Sequence, residues 1–302
     1  MKKSFSLLVA LTIAVSSLAQ LLWKVSGGDT AKPSYLFGTI HLETAQYIDS
    51  VPGLNEALRA VDVVYGEVFK DDLVKPEMIM KMMTDVVAPA DSTIDKLITP
   101  EEYQLVDSVV KDYLLGIVGL QHLKHLKPVV VSTQLNVLQM QKYFPEFSTT
   151  GDAIDIALQT KGLELGKYVA GLETVDEQMQ ALFGAPLTEQ AQDLVDFCRN
   201  DTNFTEYNAQ LCEAYHAQDL VALERIIYDS EIGMSEEQTE RLSNARNRKW
   251  MDKITKTLPV QSVLVVVGAA HLIGKQGLIT LLRERGYTVE PITTSDQINQ
   301  CL

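Results

Sequence analysis

Residues 263–274 read VLVVVGAAHLIG, an apolar, mostly β-branched run that stops at a glycine and carries a histidine three residues further on. A run this short, bounded by polar residues and a glycine, reads as a buried strand and not as a helix. YLFGTIHLE, from residue 35 to 43, repeats the arrangement, so His41 and His271 each follow a strand-ending Gly-x-x-His turn. After the second turn come GLITLLRERG, helical in pattern and stopped at Gly286, and a last strand YTVEPI at 287–292. Strand, helix and strand at that spacing predict a parallel crossover unit.

The amino-terminal part supplies more strands. LLWKVSG (21–27) and SYLFGTI (34–40), separated by the turn-rich GDTAKP, read as a hairpin or two neighbouring strands. LNEALRAVD then places Leu54, Ala57, Leu58 and Val61 on one helical face, and DVVYGEVF (62–69) reads as a third strand ending near Glu67. From about Asp71 to Leu258 the pattern is mainly helical. Capping-box starts stand at Thr99–Glu102, Thr174–Glu177 and Ser235–Gln238, and one strand, GKYVAGLE (166–173), interrupts the region. The fold class expected is α/β: a central mixed, largely parallel sheet built from both ends of the chain, with a large helical insertion at about 71–258. No solenoid repeat or Gly/Ser-rich linker divides it.

The first nineteen residues read as an export signal and not as part of that core. Lys2 and Lys3 precede an apolar run from Leu7 to Val15, and Ser17-Leu18-Ala19 resembles a signal-peptidase site, so cleavage leaves Gln20 first and residues 20–302 as the α/β domain. The run is short for a span of roughly 20 apolar residues, and no cysteine follows it to suit a lipoprotein. The expected location is periplasmic or extracellular, with no stable transmembrane span after cleavage. A net charge of −14 repels nucleic acid, and loss of Lys2 and Lys3 deepens it. In an oxidising compartment Cys198 and Cys212 could pair with Cys301 left over; three reduced structural thiols are the alternative.

Ligands of open α/β sheets collect beyond the carboxyl ends of the strands, where both glycine-histidine turns fall. Gly38 and Gly268 are expected to take backbone angles that other residues resist, aiming His41 and His271 into one crevice. Glu67 follows the third strand, Glu173 the fourth, and Glu43 stands two residues beyond His41. Two imidazoles with one or two carboxylates suit a divalent ion such as zinc, manganese or cobalt, which lowers the pKa of water for a neighbouring glutamate to deprotonate. The alternative for each histidine is a local hydrogen-bonding role.

YLFGTIHL, VVYGEVF, YVAGLET, RNRKW and the block from Val263 to Val289 together resemble the TraB/GumN family, which includes PrgY-type proteins and is related to the Tiki metalloproteases. The matches run from about Leu22 to Ile292, and the carboxyl-terminal block is the most specific. The resemblance implies that His41 and His271 are metal ligands within the motifs starting at Gly38 and Gly268, and that Glu67 is a ligand or a base. Glu173, Arg246 and Asn247 match further family positions. Arg246 could face a substrate oxyanion or pair with Glu173. The function implied is an exported metal-dependent hydrolase of peptides or proteins. The alternatives are a peptide- or iron/haem-binding protein using the same crevice, as in ChaN-type relatives, and an erythromycin-esterase-like enzyme.

Other features carry less. MIMKMM (78–83) has helical period and reads as packing, with a soft-metal or substrate-contacting helix as the alternative. His122 and His125 stand three apart beside Lys124 and Lys127, as on a solvated face, and His216 has no motif around it. No Gly-x-Ser-x-Gly elbow, Gly-x-Gly-x-x-Gly turn or phosphate loop occurs.

Overall fold

The computed structural model describes residues 20–41, 43–144, 152–229 and 232–292. The expected export signal at 1–19 and Cys301 lie outside them. Six strands form one sheet: β1 (Leu22–Ser26), β2 (Ser34–Thr39), β3 (Val63–Gly66), β4 (Tyr168–Gly171), β5 (Val263–Gly268) and β6 (Thr288–Pro291). Their spatial order is β4-β3-β5-β2-β1-β6. β4, β3, β5 and β2 are parallel neighbours, and β1 is antiparallel to both β2 and β6. The sheet is therefore mixed but largely parallel, and both chain ends contribute to it.

Burial explains the central position of β5. Val263 to Val267 are all essentially inaccessible, as a strand flanked by strands and covered on both faces requires. The main core gathers around it, including Leu36, Phe37, Val64, Trp250 and Leu282. Between β3 and β5, among the described residues, the chain gives only β4 to the sheet. Much of this helical insertion packs about a second core containing Ile94, Val106, Val110, Leu135 and Leu194. The capping boxes at Thr99, Thr174 and Ser235 all form, each replacing orphan helix donors for about 1 kcal/mol.

Several expectations change in detail. β6 runs in the same direction as β5 but is not beside it: the β1/β2 hairpin lies between them, and β6 pairs with the free edge of β1 through Trp23 and Pro291. β3 ends at Gly66, one residue before the expected end near Glu67. A Cβ there would run into the Gln159 amide, so the strand ends at a point packed too closely for a side chain, with Glu67 next in the chain. In the helix Pro76–Asp85, Met78 and Met82 pack near Val68 and Met179, as a packing role requires. Met80 and Met83 instead stand 65 % and 64 % exposed. His122 lies on the short helix Leu120–Leu123, which ends before His125, so the two do not share a helix face. Cys198 and Cys212 are not joined by a disulfide; they pack in different clusters, Cys212 beside Met140.

Candidate functional site

Parallel register brings four strand ends to one edge. Thr39 pairs with Gly268, Tyr65 with Val265, and Gly66 with Gly171, so His41, His271, Glu67 and Glu173 leave the sheet side by side. Gly268 lies at the centre of this group. A Cβ on it would stand 3.5 Å from Glu67 Oε1, 3.7 Å from His271 Cδ2 and 3.8 Å from His41 Nε2.

The two glycines act through space and not through unusual backbone angles. Gly268 has φ −52°, open to any residue, and Gly38 is not among the positive-φ positions. At Gly38 a Cβ would come within 3.0 Å of Ala269 Cα, so the glycine lets β2 approach the turn that carries His271.

Each imidazole is held through Nδ1. His271, 5 % exposed, bonds Asn247 Oδ1 at 2.7 Å, and Asn247 Nδ2 donates to the backbone oxygens of His271 and Gln276. An amide oxygen only accepts, so Nδ1 carries the hydrogen and Nε2 keeps the lone pair. His41 Nδ1 lies 3.4 Å from Asp155 Oδ2, leaving its Nε2 toward Gly268. Asp155, on the helix Ile154–Glu164, was not foreseen, and its other oxygen is buried with no hydrogen-bond partner among the described residues.

Arg246 sits among these groups. It lies on the helix Ala245–Thr257, directly after a π-helical turn at Glu240–Asn244, a local widening that often marks functional positions. Its Nη2 donates to Glu67 Oε2 at 2.5 Å and Glu173 Oε1 at 2.6 Å, Nε donates to Glu173, and Nη1 donates to Leu242 O at 2.8 Å. Nη1 also lies 3.0 Å from His271 Nε2. The guanidinium faces the Trp250 ring at 4.8 Å, and the Trp250 N–H donates to Glu173 Oε2. Of the two roles expected for Arg246, this is the paired one. Glu67 receives further bonds from the Gly268 N–H at 2.8 Å and from Gln178, a partner that no sequence motif announced.

These contacts set the charges. Burial alone would raise the Glu67 carboxyl, but His271, the His41 and Arg246 charges and the Gly268 N–H hold it far below the usual range. Burial raises the Glu173 carboxyl despite its bonds to Arg246. His271, desolvated and beside Arg246, is lowered to about 3 and is neutral. Desolvation pulls His41 down, yet Asp155 and the Glu67 charge outweigh it and raise His41 to about 9. Its side chain is 60 % exposed, so water screens part of that field.

Glu43 does not join the group. Its carboxylate accepts from the Thr44 N–H and pairs with His216 Nε2 at 2.8 Å, so it ties the loop after β2 to the helix Asp201–His216. Asp155 stands beside His41 in its place.

The donors suit a divalent metal in kind: two imidazole Nε2 atoms and a carboxylate. Their arrangement does not complete a site, and among the described residues no group of three His, Cys, Asp or Glu side chains could hold a metal ion. His271 Nε2 and Glu67 Oε1 are 3.7 Å apart, near the roughly 3.4 Å between two ligands on a tetrahedral zinc with bonds of about 2.1 Å. The obstacle is Arg246, whose N–H points at the one lone pair of His271.

Fold and site together define an α/β protein whose sheet edge gathers paired Gly-x-x-His turns, two buried glutamates and an arginine. The chain belongs to the TraB/PrgY/gumN family, which its residues 21–291 match. It is similar to Metalloprotease TIKI2 of Danio rerio, with 23% identity over 341 residues covering 95% of this chain and 64% of that protein. It is also similar to Metalloprotease TIKI1 of Xenopus tropicalis, with 22% identity over 329 residues covering 91% of this chain and 62% of that protein. The chain thus spans less than two thirds of these relatives. No solved structure matches it.

Proposed function

We propose that this chain is an exported, metal-dependent hydrolase of peptides or proteins, working in the periplasm or outside the cell. The observation that carries the reading is the convergence of His41 Nε2, Glu67 Oε1 and His271 on Gly268, at the edge where α/β sheets bind ligands. The distant similarity to metalloproteases supports it. Among the described residues, no helix is long and apolar enough to cross a membrane.

His41, His271 and Glu67 are the residues that would hold a manganese, cobalt or zinc ion, which would supply Lewis acidity toward a carbonyl or a water. Glu67, held ionised, is better suited to bind a cation than to act as a general base, because a base works best with a pKa near the operating pH. Glu173, whose carboxyl burial raises, orients Arg246 through a two-point bond. Arg246, paired with Glu67 and Glu173 here, would face a developing oxyanion only once released from one of them. The Arg246 contact with His271 favours a second reading, a crevice that binds peptide without turnover.

The test is metal titration of the purified, metal-free chain beside the His41→Ala/His271→Ala double variant. A near-stoichiometric site, lost in a folded double variant, is expected. Absence of binding by the unaltered chain overturns the metal-dependent reading and leaves the binding crevice.

A further inference from the structure

Arg246 and a metal ion compete for the same electron pair. Neutral His271 has its Nδ1–H committed to Asn247, so Nε2 is its only lone pair, and Arg246 Nη1 points at that pair from 3.0 Å. The same guanidinium holds Glu67 Oε2 through Nη2. An arginine is not deprotonated in proteins and cannot act as a ligand itself, so it must leave before a cation can use His271.

The surroundings give it a place to go. Arg246 and Glu173 also line a cavity of about 470 Å³ with Asp176, Glu177, Arg241 and Lys249, where Lys249 is itself paired with Glu177, and neither His271 nor Glu67 borders it. Glu173 grips Arg246 through both Nε and Nη2, so the guanidinium can give up His271 and Glu67 while that bond persists as a pivot. The π-helical turn immediately before Arg246 places Leu242 O under Nη1 and is a local irregularity able to accommodate the shift.

We infer that Arg246 is a displaceable internal cation: its guanidinium holds the His271 lone pair and the Glu67 oxygen that a metal ion would use, and metal binding would move it off them toward Glu173 and the adjoining cavity. The inference rests on the metal-dependent reading and adds a sign to it. A residue beside the ligands here opposes metal binding. The buried carboxylates are never left without a positive partner, and metal loading would turn the guanidinium from a plug into a group free to face substrate.

Trp250 reports the movement. Its ring lies 4.8 Å from the guanidinium and 4.5 Å from the His271 ring, and Trp23 is the only other tryptophan. The experiment is calorimetric titration of the metal-free full chain with zinc chloride, with tryptophan emission followed in a Trp23→Phe background. Arg246→Gln is expected to bind zinc at least tenfold more tightly than the unaltered chain. Zinc should change Trp250 emission when arginine is present and leave it nearly unchanged in Arg246→Gln. Equal or weaker zinc binding by folded Arg246→Gln, with zinc still bound by the unaltered chain, overturns the inference alone. If neither protein binds zinc, nor manganese or cobalt titrated in the same way, the metal-dependent reading fails and the inference falls with it. Should glutamine not support folding, Arg246→Lys is read in the same way: it keeps the charge but spans fewer partners, so tighter binding supports displacement and equal or weaker binding overturns it.

Discussion

His271 Nδ1 and Asn247 Oδ1 lie 2.7 Å apart, and this one bond determines which nitrogen of the ring faces Arg246 and Glu67. Asn247 is fully buried and its amide also satisfies the backbone oxygens of His271 and Gln276. Asn247→Ala is expected to cost about 2 kcal/mol in chemical denaturation, because it leaves buried partners unsatisfied. Loss of a group that orients a metal-binding histidine typically weakens metal affinity about 10- to 100-fold, and titration of the folded variant should show a loss of that order.

The two imidazoles should titrate on opposite sides of an ordinary histidine. His41 is raised from 6.5 to about 9, whereas His271 is lowered from 6.5 to about 3. By linkage, the contribution of His41 to stability is fully present below pH 6.5 and is lost as pH rises through about 9. The contribution of His271 is fully present above pH 6.5 and is lost as pH falls from there toward about 3. Ring-proton NMR of the metal-free chain, assigned with His41→Ala and His271→Ala, should find His41 charged and His271 neutral at pH 7.

Asp155 accounts for part of that contrast. Its carboxylate lies 3.4 Å from His41 Nδ1, and both its hydrogen bond and its charge favour the imidazolium. Asp155→Asn should lower the His41 midpoint, visible in the same spectra, while leaving the His271 resonance in place. An unmoved His41 midpoint would remove Asp155 from the site.

The two motif glycines should respond differently to a methyl group. At Gly38 a Cβ would stand 3.0 Å from Ala269 Cα and from Leu272 Cδ1, so Gly38→Ala is expected to cost about 1–3 kcal/mol through overpacking. At Gly268 the nearest atom is 3.5 Å away and the backbone already suits alanine, so stability should be unchanged or rise by up to about 1 kcal/mol. That methyl would instead stand between His41, Glu67 and His271. Thermal denaturation and metal titration should therefore separate the pair: Gly38→Ala lowers Tm, and Gly268→Ala lowers metal affinity.

Much of the sheet edge was legible because apolar runs, glycines and polar residues follow one another in a fixed order along the sequence. That order located His41, Glu67, Glu173 and His271. Arg246 and Asn247 came from the resemblance, and the partners that closure of the fold gives them are not local: Arg246 meets Glu67 across 179 positions and Glu173 across 73. Asp155 and Gln178 stayed hidden for the same reason, since each is an ordinary polar residue in a helix until the fold brings it to the site. Glu43 misled because proximity along the chain does not fix direction, and its carboxylate turns to His216. β6 misled because strand-helix-strand spacing fixes direction but not adjacency, and the amino-terminal hairpin occupies the place beside β5.

The measurement that bears most directly on the proposed hydrolase is cleavage of a diverse peptide library by the purified chain, with and without added manganese, cobalt or zinc, beside the folded His41→Ala and His271→Ala variants. Metal-stimulated cleavage that disappears in both variants is the predicted result. Cleavage unchanged in both variants, or no product from a chain that carries stoichiometric metal, would contradict it.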